Sequence, residues 1–133
     1  MADFLFWIGW YNALGVLLLV GFQHEGFADF MLRRATEVIA QEYTHGPFGR
    51  MWLWWATAGN AFLGAVMLLA LRWPPSAQYD VAMGVVALYL VMWLVLLFGA
   101  RSPRYGRGVY VCHALWIGQM GWGVWALSTM SVG

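Results

Sequence analysis

Apolar residues run through the chain in four long blocks separated by short polar ones. The blocks are Phe4–Phe22, Met51–Leu71, Val81–Ala100 and Val109–Met130. Each is about twenty residues long, enough for a helix to cross the ~30 Å hydrocarbon core of a bilayer. The pattern predicts an all-α polytopic membrane protein, a single domain over 1–133, with four transmembrane helices in an antiparallel bundle. Trp73-Pro74-Pro75-Ser76 predicts a tight turn after the second helix, with Asp80 capping the third. Residues 101–108, rich in Arg, Gly and Pro, predict the turn before the fourth.

The first loop has a different pattern. Residues 26–42 show helical period, with Asp29, Arg33 and Glu37 in one charged stripe and apolar residues over the remaining surface. This predicts an amphipathic helix lying in the membrane interface. Asp29, Arg33, Arg34 and Glu37 are its candidate docking residues; a plain interfacial connector is the simpler reading. His45-Gly46-Pro47-Phe48-Gly49 is expected to break the chain before the second helix.

Charge sets the orientation. Arg33, Arg34 and Arg50 follow the first block, Arg101, Arg104 and Arg107 follow the third, and only Arg72 falls on the opposite side. Basic residues collect in cytoplasmic loops. Both termini are therefore expected outside, in the periplasm if this is a multi-pass protein of a bacterial inner (plasma) membrane. The start of the chain lacks the basic region and cleavage site of a signal peptide, so the first helix is expected to be retained.

Composition agrees: 62% of residues are hydrophobic and 10% charged, against about 25% charged in ordinary soluble domains. Ten Trp and six Tyr suit the two membrane interfaces. A net charge of +1 gives no attraction to nucleic acid. One cysteine, Cys112, excludes an intrachain disulfide.

Counting inward from the helix ends places Asn12, Asn60, Tyr89 and Gln119 at one depth, ~15 Å from the inner surface. An unpaired amide in hydrocarbon costs several kcal/mol, so these groups should face the bundle interior or another protein. Rows of small residues accompany them: Gly9 and Ala13; Ala56, Asn60 and Gly64; Gly118, Gly121 and Gly123. Such rows let helix backbones approach closely. The layer reads first as interhelical hydrogen bonding and second as a contact for a polar solute.

The ionisable residues gather at the cytoplasmic side. His24, His45, His113, Glu25, Asp29, Glu42 and Cys112 are of metal-ligating type, but no pair has ligand spacing on one helix, so no metal site is expected. His113, one turn into the fourth block, is the histidine placed to ligate a haem or pigment, with His24 as a poorly placed second. No carboxylate or lysine lies within the blocks' interiors, which argues against proton-coupled transport. No catalytic set is apparent.

In topology alone, the layout is similar to that of the membrane-associated eicosanoid and glutathione metabolism enzymes. Their glutathione site implies an Arg and a Glu bracketing an Asn in helix 2. Around Asn60, Leu63 stands where the Glu is required, and Trp54 and Trp55 where basic residues are required. The resemblance therefore carries no function.

These features favour a non-catalytic subunit that scaffolds a larger energy-transducing inner-membrane assembly. Its partners would be the lipid bilayer and other membrane subunits, with quinone or lipid as small-molecule contacts. Second comes an oligomeric carrier or channel for a neutral solute, using the mid-depth layer. Third comes haem or pigment binding through His113. An enzyme acting on lipid or quinone comes last.

Overall fold

The computed structural model describes residues 1–24, 27, 47–99 and 108–130. Among them every regular element is a helix: α1 (Ala2–Phe22), α2 (Pro47–Ala70), α3 (Pro75–Gly99) and α4 (Gly108–Met130). Three helices are long and apolar enough to cross a membrane, over Ala2–Phe22, Leu53–Ala70 and Pro75–Val95. In α1, α3 and α4 the apolar residues surround the helix without favouring one face. α4 is 23 residues long and interrupts its apolar surface with His113, Gly118, Gln119, Gly121 and Gly123. The helix expected over 26–42 lies outside the described residues except for Phe27, as do Asp29, Arg33, Arg34 and Glu37. Phe27 sits back against the end of α1, its ring 5.6 Å from that of Phe22.

Two helices begin a full turn or more before their apolar blocks, and both begin at proline. Pro47 opens α2 and Pro75 opens α3. A proline suits the first helical position, where its missing N–H would have no partner and its fixed φ already fits the helix. Pro47 therefore starts a helix where a break was expected, and Asp80 falls inside α3 instead of capping it. The turn between α2 and α3 is closed from both sides. The N–H groups of Arg72 and Trp73 donate to the carbonyls of Leu69 and Ala70, each at 3.0 Å. Pro74 supplies the first carbonyl of α3, accepting from the Gln78 N–H at 3.0 Å. The Gln78 side-chain amide reaches back to the Trp73 carbonyl at 3.0 Å and the Leu71 carbonyl at 3.5 Å. Carbonyls at a helix end have no partner within their helix, and Gln78 serves them. Gln78→Ala is expected to lower stability by about 1 kcal/mol, read as a shifted thermal transition in detergent by circular dichroism.

Packing is closest between α1 and α2, followed by α3 and α4. The first seam is tight enough to touch backbone to backbone. A Cβ on Gly64 would lie 3.0 Å from the Gly9 carbonyl oxygen and 3.0 Å from the Ala13 nitrogen. Pairings run in opposite order along the two helices: Gly9 faces Met67 and Leu68, Ala13 faces Gly64, and Gly15 faces Asn60. α3 and α4 pair in the same sense, with Val86 against Gly123 and Tyr89 against Trp116.

The buried core comprises Phe4, Leu5 and Ile8 of α1, Met67 and Ala70 of α2, Ala82, Val85 and Tyr89 of α3, and Ala126 of α4. It occupies the end of the molecule that carries the N-terminus, the α2–α3 turn and the end of α4. Phe4 meets Trp122 edge-on there, ring centres 5.7 Å apart. Little else is enclosed. Only 28%, 22% and 17% of the three apolar spans is buried within the chain. Trp7, Trp54, Trp55 and Trp125 are each more than half exposed. An apolar surface of this extent requires lipid or another protein against it.

Candidate functional site

The one buried polar contact between helices joins Asn12 and Tyr89 among the described residues. Both side chains are almost fully enclosed, at 3% and 2% exposure. Asn12 Nδ2 donates to Tyr89 Oη at 2.8 Å and to the Ile8 carbonyl, one turn back, at 2.8 Å. The two hydrogens of one amide nitrogen are thus both engaged. Trp116 packs edge-on against the Tyr89 ring, centres 4.8 Å apart at 82°. Three helices meet at this point, and the tyrosine is held by an amide on one side and an indole on the other.

The other two members of the mid-depth set stand apart. Asn60 Nδ2 donates to the Ala56 carbonyl of its own helix at 2.9 Å, and its Oδ1 lies against Gly15. Thr57, Ser128 and Thr129 likewise bond carbonyls of their own helices, at 2.7, 2.8 and 2.9 Å. Because the Asn60 amide donates only within its own helix, Asn60→Leu deletes no interhelical hydrogen bond and is expected to change stability by less than about 0.6 kcal/mol, the average for such a bond in a membrane. Thermal unfolding of the purified variant checks this.

Gln119 lies in a groove of about 540 Å³ between α1 and α4. Trp7, Trp10 and Tyr11 of α1 line one wall, and Gly118, Gln119 and Trp122 of α4 the other. Gln119 Oε1 is buried without a hydrogen-bond partner. Gln23 Nε2 and Trp93 Nε1 are in the same condition elsewhere. A second hollow, about 650 Å³, lies beside Arg50, Met51, Trp54, Trp55 and Ala58.

Trp116 and the groove were not evident from the sequence. Trp116 stands three residues before Gln119, one helical turn away, and that spacing was the available signal. The groove had none, since it depends on which faces of α1 and α4 meet. His24 is exposed in the turn after α1, and His113 is half-buried early in α4. No group of three or more metal-ligating side chains forms among the described residues. No protein family, curated protein or solved structure matches the chain.

Proposed function

We propose that this chain is a small non-catalytic subunit of a larger inner-membrane assembly, crossing the bilayer four times as an antiparallel bundle. Both termini face the periplasm, and the arginine-bearing loops face the cytoplasm. The observation that carries this reading is the contrast between a small enclosed core and wide outward apolar surfaces. Most of each span meets something other than this chain. Large indoles such as Trp54, Trp55 and Trp125 are the side chains that anchor protein interfaces well. Polar groups inside the spans mainly bond one another or their own helix, as Asn12, Tyr89 and Asn60 do. That disfavours a solute path through a single copy, which would need polar groups facing a shared lumen.

Native purification tests the proposal. The untagged protein, extracted from its own membrane in mild detergent, is expected to migrate with other membrane subunits in fixed ratio by mass spectrometry. Migration alone at the mass of this chain and its micelle overturns the subunit reading. Orientation has its own check. Cysteines introduced at positions 45 and 105 are expected to resist an impermeant maleimide in intact cells, and labelling from outside would reverse the topology.

A further inference from the structure

We propose that the hollow along the start of α2 binds an anionic phospholipid, with Arg50 as the contact for its phosphate. The hollow, about 650 Å³, is lined by Arg50, Met51, Trp54, Trp55 and Ala58. Arg50, Trp54 and Ala58 follow one another at four-residue spacing, which puts them on one face of the helix. Met51 and Trp55 flank them at the same spacing. All five residues are exposed. From Arg50 to Ala58 the row runs about 12 Å along the axis, at ~1.5 Å per residue. The apolar span of α2 begins at Leu53. Arg50 therefore lies outside the hydrocarbon boundary, and Trp54, Trp55 and Ala58 lie inside it.

The polarity of the row selects the ligand. Its outer end is a permanent cation, its middle is two indoles, and its inner end is a bare methyl group. A neutral lipid leaves the charge unanswered, and a water-soluble anion leaves the inner turns uncovered. An anionic phospholipid supplies both ends in one molecule. Guanidinium donors match phosphate oxygens in bidentate pairs. With five N–H groups, Arg50 serves a phosphate beside its contact within the chain. Indoles suit this depth because the ring is apolar and the N–H donates to oxygen acceptors, here the glycerol esters. Trp54 and Trp55 are 57% and 68% exposed, so their rings are not used up in packing this chain. Past Ala58 the helix surface stays open: nothing lies within 4 Å of the place a Gly59 Cβ would take, which leaves a path for the acyl chain. Arg72, at the other end of α2, is exposed as well, but it sits in the closed turn before α3 and lines neither hollow.

Native mass spectrometry tests this on the purified full-length chain, exchanged into detergent that carries equal amounts of phosphatidylglycerol and phosphatidylcholine. Phosphatidylglycerol is expected to stay bound in preference to phosphatidylcholine. Arg50→Gln should weaken that retention about tenfold, the scale of one hydrogen bond to a charged group. Arg72→Gln removes the same charge from the opposite boundary and should leave retention unchanged. Ala58→Trp fills the inner end of the hollow from an exposed position, so the fold is retained and retention of the lipid falls. Glycerol phosphate, the anion without its chains, should not displace the lipid. Equal retention of the two lipids overturns the proposal. So does equal loss in the two arginine variants, which means general charge attraction. Displacement by glycerol phosphate reduces the site to an anion contact and overturns it too. If Trp54→Ala and Ala58→Trp abolish cross-linking between two copies, or copurification with other membrane subunits, and leave lipid retention untouched, protein covers the hollow and the lipid assignment falls. The lipid measurement uses the isolated chain, so its failure is distinct from failure of the subunit reading, which is judged in native membrane.

Discussion

Exchanging Gly64 for leucine is expected to force α1 and α2 apart. The obstacle is main chain, not side chain. A Cβ at position 64 would stand 3.0 Å from the Gly9 oxygen and 3.0 Å from the Ala13 nitrogen, and backbone atoms of a helix cannot rotate out of the way. The axes must separate, and the loss spreads along the seam from Gly9 and Met67 to Gly15 and Asn60. In a bilayer, helix association rests largely on van der Waals contact, because lipid tails are as apolar as the side chains. Such contact fades over gaps of 0.5–1 Å, so a small separation removes much of the attraction. Overpacking commonly costs about 1–3 kcal/mol, and a clash against backbone belongs at the upper end. Gly59→Leu is the matched control, since nothing lies within 4 Å of its Cβ position on the same helix. There the better helix propensity of leucine leaves stability level or raises it by up to about 1 kcal/mol. Thermal unfolding in detergent compares the two variants. Equal transitions for both would dismiss the close α1–α2 seam.

This seam was partly legible in the sequence. Glycine and alanine at four-residue spacing in two apolar blocks marked surfaces able to come close, and Gly64 does sit over Gly9 and Ala13. The helices themselves were legible because apolar length is a property of composition, and the ends agree to within a few residues at Phe22, Ala70, Gly99 and Met130. The starts of α2 and α3 precede the apolar blocks because Pro47 and Pro75 open those helices, and at a first position proline is a start and not a stop. Depth could also be counted, at ~1.5 Å per residue, which brought Asn12 and Tyr89 to one level. Rotation about the helix axis could not. An amphipathic helix declares its inward face through its polar one, but α1, α3 and α4 are apolar all round. Four residues at one depth therefore had no predictable azimuth. Asn12 and Tyr89 face each other, Asn60 turns to its own helix, and Gln119 opens on a groove. The charged stripe of Asp29, Arg33 and Glu37 lies outside the described residues and stays a sequence expectation.

Three substitutions at the α1–α3–α4 junction should separate shape from hydrogen bonding. Tyr89→Ala removes a fully enclosed ring, abandons the edge-on contact with Trp116 and leaves a void among Asn12, Val85 and Trp116. In water-soluble cores Phe or Trp to Ala costs about 3–5 kcal/mol, part of it transfer out of water and part cavity. The transfer part largely vanishes when lipid is the solvent, so about 2 kcal/mol is expected here. Tyr89→Phe keeps the ring and deletes only the oxygen that accepts from Asn12. Asn12 Nδ2 still donates to the Ile8 carbonyl, so the cost should be about 0.6 kcal/mol and at most about 1.7, the range measured for interhelical bonds in membranes. Asn12→Leu falls between the two, because a bulkier apolar side chain must fit where the amide lay and the Tyr89 hydroxyl loses its donor. A double-mutant cycle on Asn12→Leu and Tyr89→Phe isolates the pair. A coupling near zero would mean the 2.8 Å contact contributes nothing to stability. A Tyr89→Phe as costly as Tyr89→Ala would place the whole value of this junction in the hydroxyl. The predicted order, Ala worst and Phe mildest, instead assigns it to packing: the ring fixes where α3 and α4 meet α1, and the hydrogen bond spares two polar groups that hydrocarbon would otherwise leave unpaired.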